Sequence, residues 1–146
     1  MIKISSAEWE VMRVLWAKGE TTSADIIRIL SDKQGWSAST VKTLLGRLAE
    51  KGYLTSYRQG RSFIYQTSLS EEEANLGALR SVLDRICQTK QVDLISHLLT
   101  DLPMTQEDVV KLQKQLKNKD VVAVVNCDCL PGQCVCSEHL EVSNGS

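Results

Sequence analysis

The 146-residue sequence predicts a mainly α-helical fold with a small β-hairpin: a winged helix-turn-helix, then a helical dimerisation region, then a Cys-rich tail. Apolar residues recur at helical spacing in three short segments, the period changes to two over residues 54–67, and helical spacing resumes after residue 69. Four of the five cysteines then fall within residues 127–136. We therefore expect three parts, at 1–68, 69–118 and 119–146.

Helix-capping residues mark the first three predicted helices. Ser5 and Ser6 can each cap the first helix by accepting an orphan amide hydrogen bond, and Glu8 lies in the capping-box position relative to Ser5. The second helix follows Thr22 and Ser23, and Ser37 caps the third. Gly52 follows the third helix, where a residue with positive φ commonly ends an α-helix. The third helix carries the most regular apolar stripe, formed by Val41, Leu44, Leu45 and Leu48. That stripe is expected to face the core.

The segments 54–58 and 61–67 are rich in Tyr, Thr, Phe and Ile, and Gln59-Gly60 can form the turn between them. They predict the hairpin of a winged helix. Beyond it, helices are predicted from Ser70 to about Thr89, over 94–102, and after Thr105.

The three later helices are amphipathic, but they are too short and too few to enclose a core of their own. We expect their leucines to be buried against a second copy of the chain. The alternative is that these helices fold back on their own winged helix.

The charge of the chain is unevenly distributed. Residues 1–68 hold ten Lys/Arg and six Asp/Glu, a net charge of +4, whereas residues 69–146 hold seven and twelve, a net charge of −5. A polyanion is therefore expected to bind the first part. The third helix could enter a DNA groove, although a plain solvated helix surface is the alternative. The candidate DNA contacts are Ser37, Ser39, Thr40, Lys42, Thr43 and Arg47 on this helix, and Arg58 and Arg61 at the hairpin tip.

The tail contains two Cys-x-Cys pairs, Cys127 with Cys129 and Cys134 with Cys136. In an extended segment the side chains at i and i+2 point the same way, so each pair directs two sulfurs to one place. The turn-forming residues 130–133 would bring the two pairs face to face. Four thiolates favour zinc or copper(I) over magnesium or calcium. A reversible redox switch and a structural disulfide are the alternatives.

Few other residues suggest chemistry. Cys87 continues the apolar face of a predicted helix and is interpreted as a buried core residue, and His139 as a solvated terminal histidine rather than a spare ligand. With only His97 and His139, no Gly-rich phosphate loop and no acid–base cluster, we expect no enzyme activity. No signal segment or membrane-spanning run is found, so a cytoplasmic protein without a membrane partner is expected.

Several motifs resemble one known family. Residues Ile4–Met12 and Trp36–Leu48 resemble the opening and the recognition helix of the penicillinase/methicillin-resistance (BlaI/MecI) repressors. Tyr53–Tyr65 fits the wing of that family, and Met104–Leu116 resembles its last dimerisation helix. Cys127–Cys136 resembles the tail of its copper-responsive, CopY-type branch.

The resemblance implies a homodimeric repressor that binds double-stranded operator DNA of a copper-homeostasis operon, an inverted repeat matching the two reading helices. It implies Zn(II) on the four tail cysteines in the DNA-binding form, Cu(I) as the inducer that displaces zinc and releases DNA, and a copper chaperone as a candidate Cu(I) donor. Two alternatives stay open: a repressor that responds mainly to cadmium or zinc, and a metal-buffer or redox-switch protein.

Overall fold

Three helices and a three-stranded sheet form the first part of the chain. The structure is a computed structural model that describes residues 2–128 and 130. The elements in chain order are helix α1 (Ser6–Lys18), strand β1 (Thr21–Thr22), helices α2 (Ser23–Gln34) and α3 (Ala38–Glu50), and strands β2 (Leu54–Gln59) and β3 (Ser62–Thr67). The predicted winged helix-turn-helix is confirmed.

The sheet is antiparallel, with strand order β1-β3-β2. Strand β1 was not predicted, because two residues are too few to show a period. Gln59 pairs with Ser62, so the tight turn is Gly60-Arg61, one residue later than predicted. Gly60 has φ 65°, and glycine adopts a positive φ at the first position of a two-residue hairpin loop without steric cost.

One buried cluster joins the three helices to β2. Its members come from the inward stripe of each helix: Val11, Met12, Val14, Leu15, Ile26, Leu30, Val41, Leu44, Leu45, Leu48 and Leu54. All four predicted core positions of α3 belong to it. Because this stripe is fixed against α1 and α2, the opposite face of α3 is held toward solvent.

A partly buried ion pair ties the start of the chain to the end of α3. The Glu8 side chain is almost completely buried, and one of its carboxylate oxygens lies 2.6 Å from Lys51 Nζ. Lys51 Nζ also donates to the backbone oxygen of Lys3 at 3.0 Å. Of the two predicted caps, Ser5 is the N-cap of α1 and accepts the Glu8 amide hydrogen at 3.1 Å, whereas Ser6 is the first residue of the helix. The Glu8 carboxylate itself bonds to the Ser5 hydroxyl and to Lys51.

Three further helices follow: α4 (Glu71–Leu83), α5 (Gln88–Asp101) and α6 (Gln106–Lys117). The helix predicted to continue to about Thr89 ends at Leu83, so that part of the prediction was wrong. The Gln91 side chain supplies the reason, because its Nε2 donates to the carbonyls of Leu83 at 2.9 Å and Ile86 at 3.0 Å. These hydrogen bonds satisfy backbone carbonyls at the end of α4, although the apolar pattern of the sequence continues past Leu83.

The chain divides into two compact units after Ser81. Helices α5 and α6, in the second unit, contain no buried residue at all. Their apolar residues remain largely in solvent: Val92, Leu94, Ile95, Leu98, Leu99, Val110 and Leu116. Within the described part of the chain, no helix has the length and apolar character needed to cross a membrane.

Candidate nucleic-acid interface and cysteine tail

The N-terminus of α3 is closed by a hydroxyl pair. Ser37 Oγ accepts the Thr40 amide hydrogen at 3.2 Å and lies 3.0 Å from Thr40 Oγ1. Both residues are exposed, as are the other six predicted DNA contacts. Anions are favoured at a helix N-terminus, where free amides and the helix dipole attract negative charge. This end of α3 is therefore suited to lie near a phosphate.

We call Ser39, Lys42, Thr43, Gly46 and Arg47 the outer face of α3. In the described part of the chain, neither Lys42 nor Arg47 makes a salt bridge. A Cβ placed on Gly46 would meet nothing within 4 Å, so this position is open surface that lets the helix backbone approach a partner closely. The outer face is thus cationic and carries no side chain at Gly46, in contrast to the apolar stripe on the opposite side of the helix.

The hydroxyls of the outer face have defined hydrogen bonds. Thr43 Oγ1 donates to the backbone oxygen of Ser39 at 3.0 Å. Since its only proton is used in this bond, the Thr43 hydroxyl presents acceptor lone pairs outward. Such an acceptor matches an exocyclic amino group at a base edge.

The wing, formed by β2, β3 and their turn, carries the second basic patch. Arg58 Nε donates to the Gly60 oxygen at 3.2 Å, and the Arg58 guanidinium lies 6.0 Å from the centroid of the Phe63 ring, opposite it across the strands. These contacts hold the guanidinium at the tip. Arg61 occupies the turn itself and is exposed.

Two aromatic residues of the wing were not singled out from the sequence. Phe63 and Tyr57 are 49% and 42% exposed, and they lie on opposite faces of the wing. Strand alternation could have placed Phe63 on the face opposite its neighbour Ile64, and the pairing of β2 with β3 then places Tyr57 on the same face as Ile64. Tyr57 Oη donates to Glu20 Oε2 at 3.2 Å. Desolvation, followed by this hydrogen bond, raises the pKa of Tyr57, so the phenol stays protonated.

The cysteine tail, residues 119–146, is described only at its start. Cys127 is half-buried, and Cys129, Cys134, Cys136 and His139 lie outside the described residues. Across the described ranges, no group of three His, Cys, Asp or Glu side chains is placed to hold a metal ion. The four-sulfur site therefore stays a prediction.

Cys87 is buried, as predicted, with 5% of its surface exposed. It does not continue a helix face, however, and that interpretation was wrong: it is the N-cap residue of α5. Its Sγ lies 3.4 Å from Cys127 Sγ and 3.0 Å from Thr89 Oγ1. The start of the cysteine tail thus lies against the beginning of α5.

Comparison with known proteins gives consistent results. The family model of the penicillinase repressor matches residues 4–118. An uncharacterised 16.5 kDa protein from the ptsI 3′ region of Latilactobacillus sakei is 38% identical over 139 residues, covering 94% of this chain and 95% of that protein. The penicillinase repressor of Bacillus licheniformis is 30% identical over 115 residues, covering 79% and 90% respectively.

Among solved structures, the DNA-binding domain of the repressor BlaI is similar, with 38% identity and a TM-score of 0.47 over 49% of this chain and 87% of that one. The family assignment itself depends on the sequence matches. Because the family model spans residues 4–118 of the 146, this chain belongs to the penicillinase repressor family.

Proposed function

We propose that this protein is a metal-responsive transcriptional repressor that binds double-stranded operator DNA as a homodimer. The observation that carries the proposal is the outer face of α3, where Lys42 and Arg47 are exposed and make no salt bridge among the described residues. A major groove accepts an α-helix with cations and hydroxyls on its free side. Membership of a repressor family supports the same activity.

Different residues would contribute different parts of the binding free energy. Arg47 and Lys42 neutralise phosphates or bind guanine edges, and the acceptor presented by Thr43 favours a base with an amino group. Arg58 and Arg61 on the wing would contact the neighbouring backbone, which adds affinity without sequence information.

The homodimer is supported by the exposed apolar surface of the second unit. On α5, Leu94 and Leu98 are 44% and 56% exposed and lie four residues apart on one face, and Leu102, the residue that ends the helix, is 55% exposed. A contiguous apolar face of this kind marks an interaction site in a soluble protein. A second copy would cover it and would present two α3 helices to an inverted repeat.

The metal response rests on the donor set of the cysteine tail. Cys127, Cys129, Cys134 and Cys136 would hold Zn(II) in the DNA-binding form, and Cu(I) would act as the inducer that displaces it. Of these four residues the structure describes Cys127, whose Sγ lies 3.4 Å from the sulfur of Cys87. Four thiolates with one Zn²⁺ or with two Cu⁺ carry the same net charge, so at that stoichiometry the two forms would differ in geometry and not in repulsion from DNA.

A titration tests this function. Duplexes selected from a random-sequence pool with the zinc-loaded protein are used in a gel shift, to which copper(I), cadmium or excess zinc is added. We expect copper(I) to release the DNA. Release by cadmium or zinc alone would favour the alternative inducers, and no release by any metal would contradict the metal response.

A pair of variants tests the DNA interface. Arg47→Ala should weaken binding by about 1–3 kcal/mol, roughly 5- to 150-fold in Kd, because one good contact from this face is lost. Lys117→Ala, which removes the same charge from exposed α6, is the matched control and should bind almost normally. Unchanged affinity of Arg47→Ala, with metal content and dimer intact, would refute the interface and favour a metal buffer.

A further inference from the structure

Two sulfurs far apart in the sequence lie side by side in the second unit. Cys87 Sγ and Cys127 Sγ are 3.4 Å apart, and they are separated by 40 residues. Cys87 is 5% exposed and is the N-cap residue of α5. The pair therefore joins one sulfur at the start of α5 and one sulfur from the start of the cysteine tail.

A second contact holds the tail at the same place. Asp128 Oδ1 accepts the backbone amide hydrogen of Gln88 at 2.9 Å. This amide is one of the first of α5, where a carboxylate is favoured by the orphan N–H groups and the helix dipole. Consecutive residues 127 and 128 thus contact consecutive residues 87 and 88, which makes the approach of the two sulfurs a docked arrangement of the chain.

The sulfur separation suits shared coordination of one ion. Two thiolates bound tetrahedrally to zinc at about 2.3 Å each lie about 3.8 Å apart. The observed 3.4 Å requires only a small outward movement of the Cys127 side chain. If Cys87 were only an apolar core residue, its packing would not require a second sulfur at this distance.

We propose that Cys87 is a metal ligand and that Cys87 and Cys127 bind the same ion of the tail centre. This inference rests on the proposed metal response and changes its ligand set. Zinc takes four ligands, so Cys87 would take the place of one of the four tail cysteines in the zinc form. The metal would thereby fasten the tail to the first turn of α5, the helix whose exposed leucines form the proposed dimer face. Exchange of the metal would then act directly on that helix.

The test uses the full-length protein loaded with cadmium-113 under reducing conditions. Proton–cadmium correlation spectra identify each ligand by coupling between the cysteine β protons and the metal. We expect the β protons of Cys87 and Cys127 to correlate with the same cadmium resonance. Cys87→Ser should remove one of these correlations and should lower zinc affinity by at least about tenfold, the smaller end of what even an outer-shell change costs.

The outcomes separate this inference from the proposed function. If the tail cysteines correlate with cadmium but Cys87 does not, the inference is overturned while the metal-responsive tail stands. If no cysteine correlates, both fail. The wild-type spectrum decides the question even where Cys87→Ser does not fold, because ligation is observed in the unmodified chain.

Discussion

Leu98 on α5 gives a direct test of the proposed dimer. Its surface is 56% exposed in the single chain, although it lies in the middle of the apolar face. Leu98→Ala removes three carbon atoms, worth about 2.4 kcal/mol when fully buried from water, so the part still exposed corresponds to about 1.3 kcal/mol. A two-fold symmetric dimer contains the residue twice. We therefore expect a loss of about 2–3 kcal/mol, which raises the dimer Kd roughly 30- to 150-fold.

Sedimentation equilibrium over a range of protein concentrations measures this Kd. Thr100→Ala is the matched control, since Thr100 is exposed on the opposite side of α5 and its hydroxyl donates within the helix, to the Ser96 oxygen. It should leave the dimer unchanged. A Leu98→Ala protein that dimerises as tightly as the wild type would show that the apolar face of α5 is not the interface.

Three further predictions concern stability and the tail. Lys51→Met leaves the Glu8 carboxylate, which is 3% exposed, without its cation. The free energy of unfolding measured in urea should therefore fall by about 1–3 kcal/mol, and Lys51→Arg should recover part of that loss. Equal stability of Lys51→Met and the wild type would contradict the role of this pair. The hydrogen bond from the Thr105 backbone lowers the pKa of Asp108. The helix stability that this bond provides is therefore present above the ordinary carboxyl pKa and is lost as pH falls through the lowered pKa. Asp108→Asn should lack this loss in an acid titration followed by circular dichroism, and identical titration curves for the variant and the wild type would exclude the effect. Truncation before Asn126 should leave a folded dimer that binds no zinc, as measured by elemental analysis, and that no longer responds to copper. If the truncated protein still released DNA on addition of copper, the tail would be ruled out as the sensor.

The sequence by itself determined the winged helix and most of its candidate DNA interface. Capping by Ser5, Thr22 and Ser37 is a local interaction between residues three apart, and the stripe of α3 is a local periodicity. Once that stripe is known to be buried, the outer face with Lys42 and Arg47 follows from helix geometry alone. The exposed positions of the predicted contacts within α3 were therefore available before any tertiary structure.

The tertiary structure decided the features that depend on residues distant in sequence. Strand β1 forms only because β3 pairs with it, and the Glu8 carboxylate is engaged by a lysine 43 residues away. Helix α4 stops at Leu83 since the Gln91 side chain takes up carbonyls at the break, whereas the apolar period alone favours a longer helix. Cys87 was recognisable as a buried residue, but its burial beside Cys127 results from a contact across 40 residues, and no local pattern encodes such a contact.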